Sequence, residues 1–296
     1  MGSKKHYAAA ITAFIIWGFF PLLLRELQAY SSGVILYFRI LFSLLVLIVV
    51  IFGFKRKDFQ KDLAHFKSLS KEKRNTAIIL TLLGGALLTV NWLAFIYIVN
   101  HVNIKTASFS YLICPVMTAV LGYVMLKEKL SFIQWVAVGL CALSCALMGI
   151  NSIVELGFSF VTALTYALYL ISQRKNQGFD RMIVLGIQVV FSFLILNILY
   201  SYLMTEVPVA INFYNLILIM AIVFTVFPLF LNLYALNKIN SATIGILMYL
   251  NPLFNYSVAF IVYKESVTTI QLVGYSIILV ALVLFNYPNI RKMQNA

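Results

Sequence analysis

Acidic side chains are almost missing from this chain, which has nine Asp and Glu in 296 residues against 22 Lys and Arg. No carboxylate falls in the middle of an apolar run, so the intramembrane acid relay that proton-coupled carriers ordinarily use is not expected. Charge of either sign is scarce at 10% of residues, where soluble domains carry about 25%. Hydrophobic residues reach 62% and the mean hydropathy is +0.97. Those values exclude a water-soluble domain and a disordered chain alike. Cysteine is limited to Cys114, Cys141 and Cys145, all inside apolar runs, and implies no disulfide framework. Cys141 and Cys145 share a helix face, but His6, His65 and His101 sit at run ends or in loops, so no metal site is expected. A nucleophile elbow, a His-Glu-x-x-His pair, a P-loop and a dinucleotide fingerprint are all absent. The chain is therefore read as a non-enzyme without a cofactor, and ATP-driven pumping by this chain alone is not expected.

What the chain has is apolar length. Ten apolar runs lie at 7–24, 33–54, 76–98, 104–126, 130–150, 153–173, 182–203, 212–236, 241–263 and 267–287. Each is near the length that crosses about 30 Å of hydrocarbon as a helix, the open form that satisfies its own backbone in lipid. The solid runs argue against an outer-membrane barrel, whose strands alternate. Only 55–75 is a longer break, strongly charged and read as partly helical on the membrane surface. Lys4-Lys5 ahead of the first run imitates a leader, but that run has a counterpart later in the chain, so cleavage is not expected.

Basic residues set the orientation. With the N-terminus inside, 18 of the 22 Lys and Arg fall on inner segments, three (Arg25, Lys105 and Lys264) fall outside, and Arg39 lies within a run. By the positive-inside rule both termini are expected in the cytoplasm, with the chain in the inner (plasma) membrane. The net charge of +13 is thus a topology signal. No nucleic-acid partner is expected, and the expected surroundings are the lipid bilayer.

A shift of 137 residues aligns 91–136 with 228–273, matching Asn100/Asn237, Thr106/Thr243, Pro115/Pro252, Lys127-Glu128/Lys264-Glu265 and Ile133-Gln134/Ile270-Gln271. Earlier in each half the shift is 149, pairing Arg25/Arg174, Phe42/Phe191 and Ser43/Ser192. The chain therefore divides into repeats at 1–150 and 151–296, with five runs each. An odd number of crossings turns the second repeat upside down. The expected fold is an all-α polytopic membrane protein of ten transmembrane helices in two inverted five-helix repeats, a plan that places a site near the midplane of secondary transporters.

Several motifs carry a resemblance. Trp17-Gly18-x-x-Pro21, Arg39-x-x-x-Ser43, Asn91-Trp92, Ser110-Tyr111-x-x-x-Pro115 and Lys127-Glu128-Lys129 with Gln134-Trp135 resemble the RarD-type branch of the EamA family, within the drug/metabolite transporter superfamily. The second half follows the general pattern through Tyr249-x-Asn251-Pro252 and Lys264-Glu265. It departs where Cys114 faces Asn251 and Asn91 faces Pro228 across the repeat. The resemblance implies a ten-helix transporter of small metabolites or drugs in the inner membrane.

Ten residues are candidates for the wall of a midplane cavity. Arg39 either receives a substrate carboxylate or phosphate or ties down carbonyls of the first helix. Pro115 and Pro252 either bend their helices to open the cavity or are packing kinks. Tyr111, Tyr249, Asn251 and Asn255 offer hydroxyls and amides to the cavity or to interhelical hydrogen bonds. Trp17, Asn91 and Trp92 are wall or packing residues. Glu128 and Glu265, at the ends of the fourth and ninth runs, are either turn and ion-pair residues or gates. The fifth and tenth runs are assigned to packing or homodimer contact. The resulting expectation is a secondary transporter, exporting small organic metabolites or drugs by alternating access. The other reading is a lipid-handling or interaction protein without solute flux.

Overall fold

Helix starts fall where short polar side chains take up free backbone amides. Ser31 accepts from the Val34 amide at 3.4 Å, Asp180 from Met182 at 2.9 Å, and Asn240 from Thr243 at 3.0 Å. The repeated glutamine has a structural cause. Ser131 and Gln134 form a reciprocal capping box, and Thr268 and Gln271, 137 positions later, form another.

The computed structural model describes residues 4–101, 104–148, 153–261 and 268–294. Those residues are helical with short connections. The helices are α1 (Lys4–Arg25), α2 (Ser32–Phe54), α3 (Arg56–Ser68), α4 (Lys71–His101), α5 (Ile104–Leu126) and α6 (Phe132–Met148). There follow α7 (Ile153–Lys175), α8 (Arg181–Ile198), α9 (Ile211–Leu236), α10 (241–261) and α11 (Thr269–Gln294). Eight of these are long and apolar enough to cross a membrane, while α6 and the first part of α10 are shorter apolar helices. Helix α3 buries none of its residues, as befits the charged break from which it forms. Large apolar side chains such as Val49, Ile79, Leu194 and Val283 face outward from the bundle, a surface that suits lipid.

Helix α1 is interrupted by a turn at Phe19 and α2 ends in a π segment, Val50–Phe54, and two further departures from regular α geometry lie in the second half. A π segment, Ile222–Val226, interrupts α9 just before Pro228. Helix α10 is broken into Ser241–Leu247 and Leu250–Ile261, with Pro252 in the first turn of the second piece, where its missing N–H is tolerated. Pro115, in contrast, lies inside the continuous α5.

The two halves of the chain interleave. Helix α1 packs on α9 and α10, and its counterpart α7 packs on α4 and α5. Helix α2 packs on α8 and α9, while α8 packs on α2 and α4. Helix α5 meets its own counterpart α10, and α6 meets α11. Exchanging each helix for its repeat partner leaves this set of contacts unchanged. The core so formed joins Phe14, Ile35, Leu36 and Ile96 of the first half to Leu170, Leu185, Ile217 and Leu233 of the second.

Polar ties gather around the α2–α3 and α7–α8 connections. Lys55 pairs with Asp180 and lies 3.6 Å from Asp58, and Asp62 accepts the Asp180 amide at 2.8 Å. Burial works against the charge on Lys55, but Asp180 and Asp58 outweigh it and raise its pKa above the usual lysine value.

Candidate functional site

Six of the sequence candidates, Trp17, Arg39, Asn91, Trp92, Tyr111 and Asn251, line one cavity of about 40 Å³ between α1, α2, α4, α5, α7, α9 and α10. Phe20, Phe95, Tyr166, Leu229 and Met248 complete its wall. This volume equals about three waters, less than the pockets that hold organic ligands.

Backbone chemistry positions the first wall. Pro228 has no N–H to offer the carbonyl one turn earlier, that of Phe224. The Trp17 indole N–H takes up that carbonyl at 2.9 Å. The Trp17 ring also meets Tyr166 edge to face, centroids 6.2 Å apart. Tyr166 in turn accepts from Asn232 Nδ2 at 2.9 Å. Asn91 anchors α4 to α7 by donating to the Thr162 carbonyl at 2.7 Å.

Arg39 supplies the cavity's charge. It is 4% exposed, and its Nε donates to Thr225 Oγ1 at 2.7 Å. Thr225 lies in the π segment and passes its own proton to the Met220 carbonyl at 2.9 Å. Phe20 and Trp92 flank the guanidinium with ring centroids 5.0 and 5.1 Å from Cζ, a cation–π clamp. Among the described residues no carboxylate lies within ion-pair distance of Arg39. Its two terminal nitrogens, Nη1 and Nη2, make no hydrogen bond to a described residue. A carboxylate or phosphate is the group whose geometry matches two parallel guanidinium donors.

The remaining candidates lie elsewhere. Tyr249 is fully buried behind the wall and donates to the Leu112 carbonyl at 2.8 Å, fastening α10 to α5. Pro115 and Pro252 are buried off the cavity. Pro115 leaves the carbonyl of the wall residue Tyr111 without its helical donor. Glu128 accepts the Ser241 and Ala242 amides at 2.8 and 3.0 Å, so it caps the start of α10 from the end of α5. That is a charge at a helix N-terminus, where sequence reading offered ion pairing to the adjacent loop. The side chain of Asn255 and all of Glu265 lie outside the described residues. The three cysteines are buried and free, and among the described residues no His, Cys, Asp or Glu group is arranged to hold a metal.

Sequence reading missed five wall residues, and three were recoverable from the repeat. Tyr166 is Trp17 shifted by 149, while Leu229 and Met248 are Trp92 and Tyr111 shifted by 137. Three pairs at these two sequence offsets therefore line one cavity. Phe20 and Phe95 gave no such signal in so aromatic a chain.

Comparison with known proteins gives the family and the fold. A profile of the EamA-like transporter family matches residues 4–150 and, separately, 153–287. The uncharacterized transporter YojE of Bacillus subtilis is 28% identical over 294 residues, covering 98% of this chain and 96% of that protein. Protein RarD of Escherichia coli is 26% identical over 297 residues, covering 96% and 94%. A solved crystal structure superposes with a TM-score of 0.75 over 97% of this chain and 99% of that one, at 12% identity, and so shares the fold. The chain is a multi-pass membrane protein of the EamA-like transporter family, on its RarD-type branch.

Proposed function

We propose that this protein is a secondary transporter of small organic solutes bearing a carboxylate or phosphate. In this reading ten spans form two inverted five-helix repeats, and both termini lie in the cytoplasm at the inner membrane. The interleaved packing that survives exchange of the two halves supports the repeat, and the odd number of spans in each supports its inversion. Rocking of one half against the other would open the centre of the bundle to each side in turn. Short α6 and the broken α10 serve as the fifth and ninth spans.

One observation carries the substrate class, namely the buried guanidinium of Arg39 on the cavity wall, which among the described residues has no carboxylate partner and two donors unused. Burying such a charge is costly unless a partner arrives, and an anionic solute is that partner. The carboxylates at run ends supply no midplane acid to drive uphill uptake. We therefore assign the direction as export of solutes that accumulate inside, down their own gradient.

A panel of small carboxylates and phosphates tested by thermal shift on purified protein examines this reading. A ligand that binds the folded state raises the unfolding midpoint. The reading expects anions to raise it in the intact protein and not in Arg39→Ala. Equal shifts in both proteins, or shifts only with cations and neutral amines, would overturn the assignment.

A further inference from the structure

Eight buried side-chain nitrogens and oxygens have no hydrogen-bond partner among the described residues. Six of these atoms belong to Tyr169, Gln173, Arg181, Gln188 and Asn232 of α7, α8 and α9. Buried polar atoms left unpaired are rare and call for a physical cause.

Their positions supply one. Shifting by 149 carries the cavity residues Phe20 and Arg39 onto Tyr169 and Gln188. Shifting by 137 carries Phe95 onto Asn232. Three walls of the visible cavity thus correspond, in the other repeat, to three of the side chains left unpaired.

The unpaired groups are also neighbours. A methyl group at Gly84 would collide with the amides of both Gln173 and Gln188. Tyr169 and Gln173 share a face of α7 at i, i+4, and Arg181 Nη1 reaches the Gln173 carbonyl at 3.4 Å. Tyr166 links the two regions: it lines the cavity, accepts from Asn232, and packs its ring 5.7 Å from that of Tyr169.

We propose that Tyr169, Gln188 and Asn232 form the polar wall of a second solute chamber, closed in this conformation and opened on the inner side as the visible cavity closes. This rests on the alternating-access reading above. In the open state water and solute satisfy the hydroxyl and amides that protein groups leave unpaired here. The chamber takes the polar or anionic part of the same solute class through neutral amides, with the spare Nη2 of Arg181 as its cation.

The test needs no known solute. An impermeant maleimide is applied to right-side-out and inside-out vesicles containing Arg39→Cys or Gln188→Cys, and the intact chain, with its three thiols buried, gives the blank. The expected result is labelling of Gln188→Cys at least tenfold faster from the inner face, and of Arg39→Cys from the outer face. Gln188→Cys silent from both faces, or faster from the outer one, overturns the second chamber. If Arg39→Cys keeps its sidedness in that case, the transporter reading stands. If Arg39→Cys reacts equally from both sides, the visible cavity itself serves both faces and the second chamber is overturned, while the alternating-access reading stands. A second variant guards against misfolding. Gln188→Leu removes the unpaired amide, so it should keep or raise the unfolding midpoint and speed outer-face labelling of Arg39→Cys at least threefold. A lowered midpoint with unchanged labelling would make Gln188 an ordinary structural residue and overturn the proposal.

Discussion

Trp17 and Tyr166 stand 149 positions apart in the sequence, and their rings meet edge to face at 6.2 Å across the cavity wall. Each also holds a polar partner. Trp17 satisfies the carbonyl that Pro228 leaves free, and Tyr166 accepts from Asn232. The pair couples the halves of the bundle at its centre. Trp17→Phe keeps the aromatic contact but strands the Phe224 carbonyl. The expected cost is about 1–3 kcal/mol, read as a lowered unfolding midpoint in detergent. An unchanged midpoint would show that the indole N–H carries no structural role.

Arg39 acts through its donors as well as its charge. Arg39→Lys preserves the cation but replaces the planar fork with a point charge. Anion affinity in this variant should fall at least tenfold, measured by calorimetric titration of the purified protein. Thr225→Val should produce a smaller loss of the same kind, because Thr225 fixes the guanidinium through Nε. The double variant should lose less than the sum of the two, as neighbours in one network do.

Glu128 ties α5 to α10 by capping the start of α10. Glu128→Ala leaves two amides without their carboxylate and should lower stability by about 1 kcal/mol. Glu128→Gln, which retains one acceptor, should recover part of that loss. Thermal unfolding of the two variants side by side makes the comparison.

The Lys55–Asp180 contact has a pH signature of definite sign. The folded-state pKa of Lys55 lies above the usual 10.5, because Asp180 and Asp58 outweigh the effect of burial. A raised lysine contributes stability that is complete below the unfolded value and fades as pH rises through the folded one. The stability gap between the intact chain and Lys55→Met should therefore stay constant from neutral pH to about 10 and shrink only above that. Unfolding midpoints across an alkaline pH series provide the check.

Lipid itself made the membrane helices legible, because a spanning helix needs about 20 apolar residues and leaves an unbroken run in the sequence. The break in α10 at 248–249 and the π segment before Pro228 left no comparable trace. Both depend on which neighbour satisfies a freed backbone group. Arg39 was conspicuous because charge inside an apolar run is rare, and Trp17 because tryptophan usually collects at interfaces. For Tyr249 the sequence left cavity wall and interhelical hydrogen bond open, because spacing alone cannot tell which acceptor a hydroxyl finds, and its hydroxyl donates to the Leu112 carbonyl. Glu128 carried lysines on both sides that suggested ion pairing, yet the chain turns it onto the amides of α10. Phe20 and Phe95 became recognisable only once Arg39 was placed near them.

The most direct measurement of the account is flux of small organic anions through proteoliposomes containing the intact chain or Arg39→Ala at equal reconstitution. The intact protein should carry at least one such anion well above the protein-free rate, and Arg39→Ala should fall back to that rate while keeping its fold. Equal flux in the two proteins would contradict the role given to Arg39, and no flux with any anion would contradict the transporter reading of the cavity.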